Sequence, residues 1–175
     1  QPISISDKAE NLEEILRNNI KGFQELRSKI KHDPVAISFA FPGPADYENR
    51  INGDLQNLPL FRGGVALKAM LENEFHLPTF INNDGDLFAY GEAIAGLLPK
   101  INELLKNNGS DKQYKNLLGV TFGTGFGGGI VRDGKLFFGD NSAGGEINRM
   151  RNFIYPATSV EDSVTIRAIK RVYSA

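Results

Sequence analysis

The chain of 175 residues has no cysteine, which excludes a disulfide framework and any thiolate-bound metal and fits a reducing compartment. Histidine is almost as scarce. His32 and His76 both follow helical patterns, where surface positions or the C-terminal dipole suit them. An excess of one charge is missing too: 20 basic and 21 acidic residues leave a net charge of −1. No basic run interleaved with aromatics occurs either, so nothing in this stretch calls for nucleic acid. There is no long apolar span and no signal-like segment, which sets the expectation of a cytoplasmic protein with no membrane partner. What is present is ordinary for a folding chain, 41% apolar and 23% charged, enough for one core or two unequal ones. The first residue is glutamine, not methionine, so the sequence reads as starting inside a longer chain.

Apolar residues at helical spacing (Leu12, Ile15, Leu16, Ile20, Phe23, Leu26 and Ile30) predict one long amphipathic helix, with Asp7 and Glu10 as its capping box. "VAISFAF" (35–41) is a continuous apolar run of the kind a strand covered on both faces needs. The Pro-, Gly- and Asn-rich stretch that follows reads as a long functional loop. "VALKAMLENEFH" predicts a helix with Leu67, Met70, Leu71 and Phe75 facing inward, and "TFIN" (79–82) a strand. This alternation implies right-handed crossovers and a parallel sheet containing 35–41 and 79–82, with ligands bound beyond the carboxyl ends of its strands. A further helix begins at Asp84 and should stop at Pro99. A short helix and a polar loop come next, the best boundary between parts. From residue 117 the period turns from helical to alternating, which predicts that 117–122 opens a second sheet.

"GVTFGTGFGGGIVRDGKLFFG" holds G-x-G-x-x-G at Gly123, Gly125 and Gly128. A dinucleotide site would need a helix after the glycines, whereas the residues that follow are β-rich around an Asp133-Gly134 turn, so NAD is not expected. Strand, glycine turn, strand leaves two readings. The glycines serve a sharp hairpin that needs φ > 0, or the turn's amides converge on an anion such as phosphate.

Taken in order, "FPGPAD", "NLPLFRGGVALKAMLENEFHLPTFINNDGDLFAYGEA", "GVTFGTGFGGGIVRDGKLFFG" and "SAGGEI" resemble the ROK family of sugar kinases and sugar-responsive repressors, across residues 35–146. The resemblance implies an actin-like ATPase (ribonuclease H-like) α/β fold in two lobes, with mixed sheet flanked by helices and ATP and a hexose in the cleft. Residues 1–113 would then be the C-terminal part of the first lobe and 114–175 the start of the second. It implies Asp84 as the catalytic aspartate, and Asn83, Glu146, Gly43 and Arg149 as sugar-binding residues. Gly123, Thr124, Gly125, Gly127 and Gly128 would form the second phosphate loop, with ATP and Mg²⁺ as cofactors and a homo-oligomer as the intact assembly. Elementary chemistry agrees about Asp84, since a carboxylate at a helix N-terminus is stabilised by the dipole and placed to accept a hydroxyl proton. Asp86, in the first helical turn, reads as dipole-compensating surface.

The family pattern is not matched throughout. No "DIGGT"-like first phosphate loop precedes residue 35, and "GExGH" reads "GEINR", with Asn148 and Arg149 where glycine and histidine are expected. The zinc-binding cysteines have no counterpart, so no structural zinc is expected. The chain reads as an internal fragment or an incompletely represented protein. Two functions of different class follow: an ATP-dependent, glucokinase-like sugar kinase, or the sugar-sensing part of a repressor whose helix-turn-helix, and with it any nucleic-acid contact, lies upstream. A non-catalytic relative is a third. Retained Asp84 favours the kinase, because a sensor needs no base.

Overall fold

The computed structural model describes residues 11–43, 45–46 and 59–174, and 51–52 for the backbone alone. It divides into two compact units, Gln1–Asn83 and Asp84–Ala175. The helix that starts at Asp84 packs onto the sheet of the second unit.

The first unit is held together by large side chains. Helix α1 (Leu12–Lys29) starts at Asn11, whose Oδ1 accepts the Glu14 amide at 2.9 Å. That is an N-cap in the usual sense. The expected Asp7–Glu10 box lies outside the described residues. Glu13 and Glu14 in the first turn and Arg27 and Lys29 in the last complement the helix dipole. Strand β1 (Ile37–Ala40) pairs in parallel with β4 (Thr79–Asn82), and helix α2 (Leu67–Phe75) comes before β4 in the chain. The parallel pairing expected from the alternation is therefore present. Two strands of two residues, β2 (Ala45–Asp46) and β3 (Ile51–Asn52), form an antiparallel pair inside the stretch expected to be loop, and a 3-10 turn (Pro59–Phe61) follows.

Phe61, Leu67 and Leu71 are fully buried with Ile15, Ile37, Phe41 and Phe75 around them. Phe23, Phe39, Phe41 and Phe61 form a chain of ring contacts with centroids 5.2–6.5 Å apart. Each such side chain contributes about 1.5–3 kcal/mol by leaving water. The expectation of a strand covered on both faces is not met among the described residues, since Val35 is 87% exposed and Phe80 58%. Leu26 and Ile30 are also exposed. Helix α2 ends at His76, which takes a left-handed conformation (φ 53°) and donates its amide to the Glu72 carbonyl.

The second unit is built on small residues. It contains α3 (Asp84–Ile94), α4 (Leu97–Asn107), an antiparallel sheet of β5 (Leu117–Phe122), β6 (Phe126–Arg132) and β7 (Lys135–Leu136), and the short helices α5 (Glu161–Val164) and α6 (Ile166–Tyr173). The break between α3 and α4 falls at Gly96, where the Glu92 carboxylate accepts the Leu97 amide at 2.7 Å. Pro99 therefore does not stop the helix as expected. It sits in the first turn of α4, where a missing N–H costs nothing. The polar loop after α4 is pinned by Asn102, which exchanges two hydrogen bonds with the Tyr114 backbone. Asp133 (φ 50°) and Gly134 (φ 76°) make the expected tight turn from β6 to β7.

Helix α3 lies directly on the sheet. A Cβ at Gly119 would come within 2.7 Å of the Ala89 Cβ, and one at Gly129 within 2.7 Å of the Asp86 Cα. Only glycine permits that approach. Among the described residues no helix is long and apolar enough to cross a membrane.

Candidate functional site

In the first unit, β1 and β4 run in register to Ala40 opposite Asn82, and the Phe41 amide donates to the Asn82 carbonyl at 2.9 Å. Gly43 and Asn83 follow just beyond that shared carboxyl edge, both half-buried, as the alternation predicted. Pro44, in the same loop, lies outside the described residues.

In the second unit the chemistry gathers at the start of α3. Asp84 opens the helix with its side chain exposed, and its Oδ1 accepts the Gly85 amide at 2.9 Å. Asp86, two residues on, is only 5% exposed. This corrects the reading of Asp86 as surface. Its acidity reflects the burial: the carboxyl is pushed up from 3.8 to about 6, first by desolvation and then by the charges of Glu146 and Asp84.

Glu146 arrives there because of the two glycines before it. A Cβ on Gly145 would lie 2.5 Å from the Gly128 carbonyl oxygen and 3.1 Å from Asp86 Oδ1, and one on Gly144 would lie 2.9 Å from the Phe137 carbonyl oxygen. The segment thus rests flat on β6 and Asp86, and Glu146, half-buried, follows at once. A 3-10 turn (Ile147–Arg149) continues from it. There Ile147 covers Gly128, and Asn148 Oδ1 is buried without a hydrogen-bond partner among the described residues. Arg149 is exposed.

The glycine cluster separates into two kinds. Gly127, Gly128 and Gly129 belong to β6, and a Cβ there would strike Thr121 Oγ1, the Ile147 side chain and the backbone of α3, respectively. Close packing demands these three. Gly123, Thr124 and Gly125 form the hairpin tip, closed by one bond from the Gly123 amide to the Gly125 carbonyl at 2.9 Å. None of the five glycines has positive φ, so the left-handed hairpin reading does not account for them. A Cβ on Gly123 would meet nothing within 4 Å. Neither the backbone conformation nor a packed neighbour requires glycine at that point.

Sequence reasoning singled out Asp84, Glu146 and the glycines but misplaced Asp86, and it did not single out Asn152. That side chain is 3% exposed. Its Nδ2 lies within 2.6–3.2 Å of Ser163 Oγ, Thr158 Oγ1 and the Ser159 carbonyl, while its Oδ1 accepts the amides of Ile154 and Tyr155 at 3.0 and 3.1 Å. One amide group therefore organises the loop before α5. Among the described residues no group of three or more His, Asp or Glu is arranged to hold a metal ion.

Known proteins with this architecture carry the same segments. A glucokinase from Parabacteroides distasonis, known from its crystal structure, is 56% identical and superposes with a TM-score of 0.87, covering 99% of this chain and 48% of its own. An N-acetyl-D-glucosamine kinase from Vibrio cholerae is 33% identical over 115 residues, which are 66% of this chain and 33% of the relative. A glucokinase from Halalkalibacterium halodurans is 31% identical over 127 residues, 70% of this chain and 32% of the relative. The chain thus spans about a third of the length of these curated relatives. The model of the ROK family matches residues 4–151, and with the actin-like ATPase fold of its structural neighbours this establishes that the chain belongs to the ROK family.

Proposed function

We propose that the protein to which this chain belongs is an ATP-dependent sugar kinase acting on an aldohexose or N-acetylhexosamine. The observation that carries the reading is the packing of Gly145 against Asp86, which sets Glu146 beside the first turn of α3 that Asp84 opens, in the same unit as a hairpin tip whose Gly123 neither packing nor backbone angle requires. Similarity to two glucokinases and an N-acetylglucosamine kinase supports it.

In this reading Asp84, exposed at the helix start, accepts the proton of the sugar hydroxyl as its oxygen becomes the nucleophile. Glu146 accepts hydrogen bonds from neighbouring hydroxyls, and Asn83, Gly43 and Arg149 are the further sugar-binding residues that the family resemblance assigns. ATP supplies the phosphoryl group. The amides of Thr124 and Gly125 hold its phosphate oxygens, with open space above Gly123 for the approach and Gly127 and Gly128 keeping the strand beneath thin. Mg²⁺ would arrive on the triphosphate, since a hard cation of this kind binds chiefly through phosphate and water. A cytoplasmic setting and a homo-oligomeric assembly belong to the same proposal, as does the assignment of 1–113 and 114–175 to successive lobes.

The repressor reading requires the sugar site without the base, and Asp84 distinguishes the two. Asp84→Asn in the full-length protein should lower sugar phosphorylation by at least about a hundredfold while sugar affinity stays within about tenfold, because the amide keeps the shape but cannot take the proton. A coupled assay of ADP release checks this. Unchanged turnover would remove Asp84 from the mechanism.

A further inference from the structure

The hairpin tip has little of its own to hold it in shape. Two of its three residues are glycine, and its one internal bond joins Gly123 to Gly125. Glycine-rich backbone must be ordered when a ligand binds, at a cost in affinity. The structure supplies an external restraint on both shoulders of the tip. On one side the Ile166 amide donates to the Gly123 carbonyl at 3.0 Å, and on the other the Phe126 amide donates to Glu161 Oε2 at 2.9 Å. Gly125 leaves that carboxylate room, since a Cβ there would stand 3.1 Å from Glu161 Oε2.

The segment that makes these contacts is itself fixed. Thr165 is 1% exposed, and Ser163 Oγ lies 2.6 Å from the Asn152 amide nitrogen. Arg167 Nη2 stands 3.5 Å from the second Glu161 oxygen, which offsets part of the negative charge brought close to the tip.

We propose that Glu161 is a positioning residue for the glycine tip, holding it through the Phe126 amide in the shape that receives an anionic ligand. This rests on the reading of the tip as a phosphate site. Glu161 touches neither phosphate nor sugar in this account. Its effect runs through backbone geometry, the usual way a supporting contact sharpens a binding site.

The test uses the ¹⁵N-labelled full-length protein, with inorganic pyrophosphate as the probe and the amides of Gly123, Thr124, Gly125 and Phe126 as reporters. Glu161→Ala should weaken pyrophosphate binding by about fivefold or more, whereas Glu161→Gln, which still offers an acceptor oxygen, should stay within about twofold of wild type. Hydrogen exchange at the Phe126 amide should rise by about tenfold or more in Glu161→Ala alone, and affinity for whichever of glucose and N-acetylglucosamine binds should be the same in all three proteins. If Glu161→Ala binds pyrophosphate at the tip as tightly as wild type or more tightly, the positioning role is overturned and the phosphate reading stands. Equal losses of sugar and pyrophosphate affinity would also overturn it, by showing a general structural effect. If pyrophosphate leaves the tip amides of the wild-type protein unmoved at every concentration, the phosphate reading fails and the positioning role goes with it.

Discussion

The two units of this chain are packed by opposite means. In the first, Phe61, Leu67 and Leu71 disappear from solvent among other phenylalanines and isoleucines, and stability comes from the bulk of what is buried. In the second, backbone comes close to its neighbours where side chains are missing, at Gly119, Gly128, Gly129 and Gly145. What those glycines bring together is a helix start, a strand and a loop carrying three carboxylates. The difference teaches a division of labour: large residues provide stability, and small ones give up contact area so that polar groups can be set within reach of one another. Glycine in strand interiors and carboxylates gathered in one place both work against stability. A site that must present ionised oxygens and bare amides calls for both.

That contrast breaks most sharply at Phe61. Truncation to alanine leaves a cavity in the first unit and should cost about 3–5 kcal/mol, read from denaturant unfolding. A loss below about 1 kcal/mol would mean that the phenylalanine cluster is not what holds this unit.

Asp86 gives the second unit a pH dependence of its own. Asp86 has its folded pKa raised from 3.8 to about 6, so the folded state holds that proton more tightly than the unfolded one. The associated stabilisation is complete below pH about 4 and is lost as pH rises through about 6, a swing of about 3 kcal/mol. Asp86→Asn should flatten this part of the stability profile, measured by unfolding at intervals from pH 4 to pH 8. A profile as steep as wild type would show that Asp86 is not the titrating group.

Smaller effects separate the two kinds of glycine. Gly129→Ala pushes a methyl into the backbone of α3, which cannot yield as a flexible side chain would, and should cost about 1–3 kcal/mol. Gly123→Ala faces open space without positive φ and should change stability by less than about 0.5 kcal/mol. Comparable losses at both positions would erase the distinction between packing glycines and site glycines.

Much of this was legible in the sequence where the signal is local. The "TFIN" run, the inward face of α2 and the Asp133-Gly134 turn each declare themselves within a few residues and appear as expected, and "VAISFAF" supplies the parallel strand expected of it, though not one covered on both faces. The burial of Asp86 was not legible, because a carboxylate in a first helical turn is usually solvated. What buries it is Gly145, far along the chain, laid against it by a loop whose path no local pattern encodes. The purpose of the β6 glycines was hidden for the same reason. Their partners are Ile147 and α3, so a turn-based explanation looked sufficient until the positive φ it requires proved absent. Pro99 was misread as a stop because the true break, at Gly96, depends on Glu92 folding back to cap the next helix.

The central claim is that the start of α3 and the Gly145-supported Glu146 make one sugar site, and the most direct measurement is calorimetric titration of the chain with glucose and with N-acetylglucosamine. One of the two should bind to the wild-type chain. Glu146→Gln should weaken that binding by at least about tenfold, and Asp84→Asn by less than about tenfold. Binding that is indifferent to Glu146→Gln, or no binding of either sugar, would contradict the account.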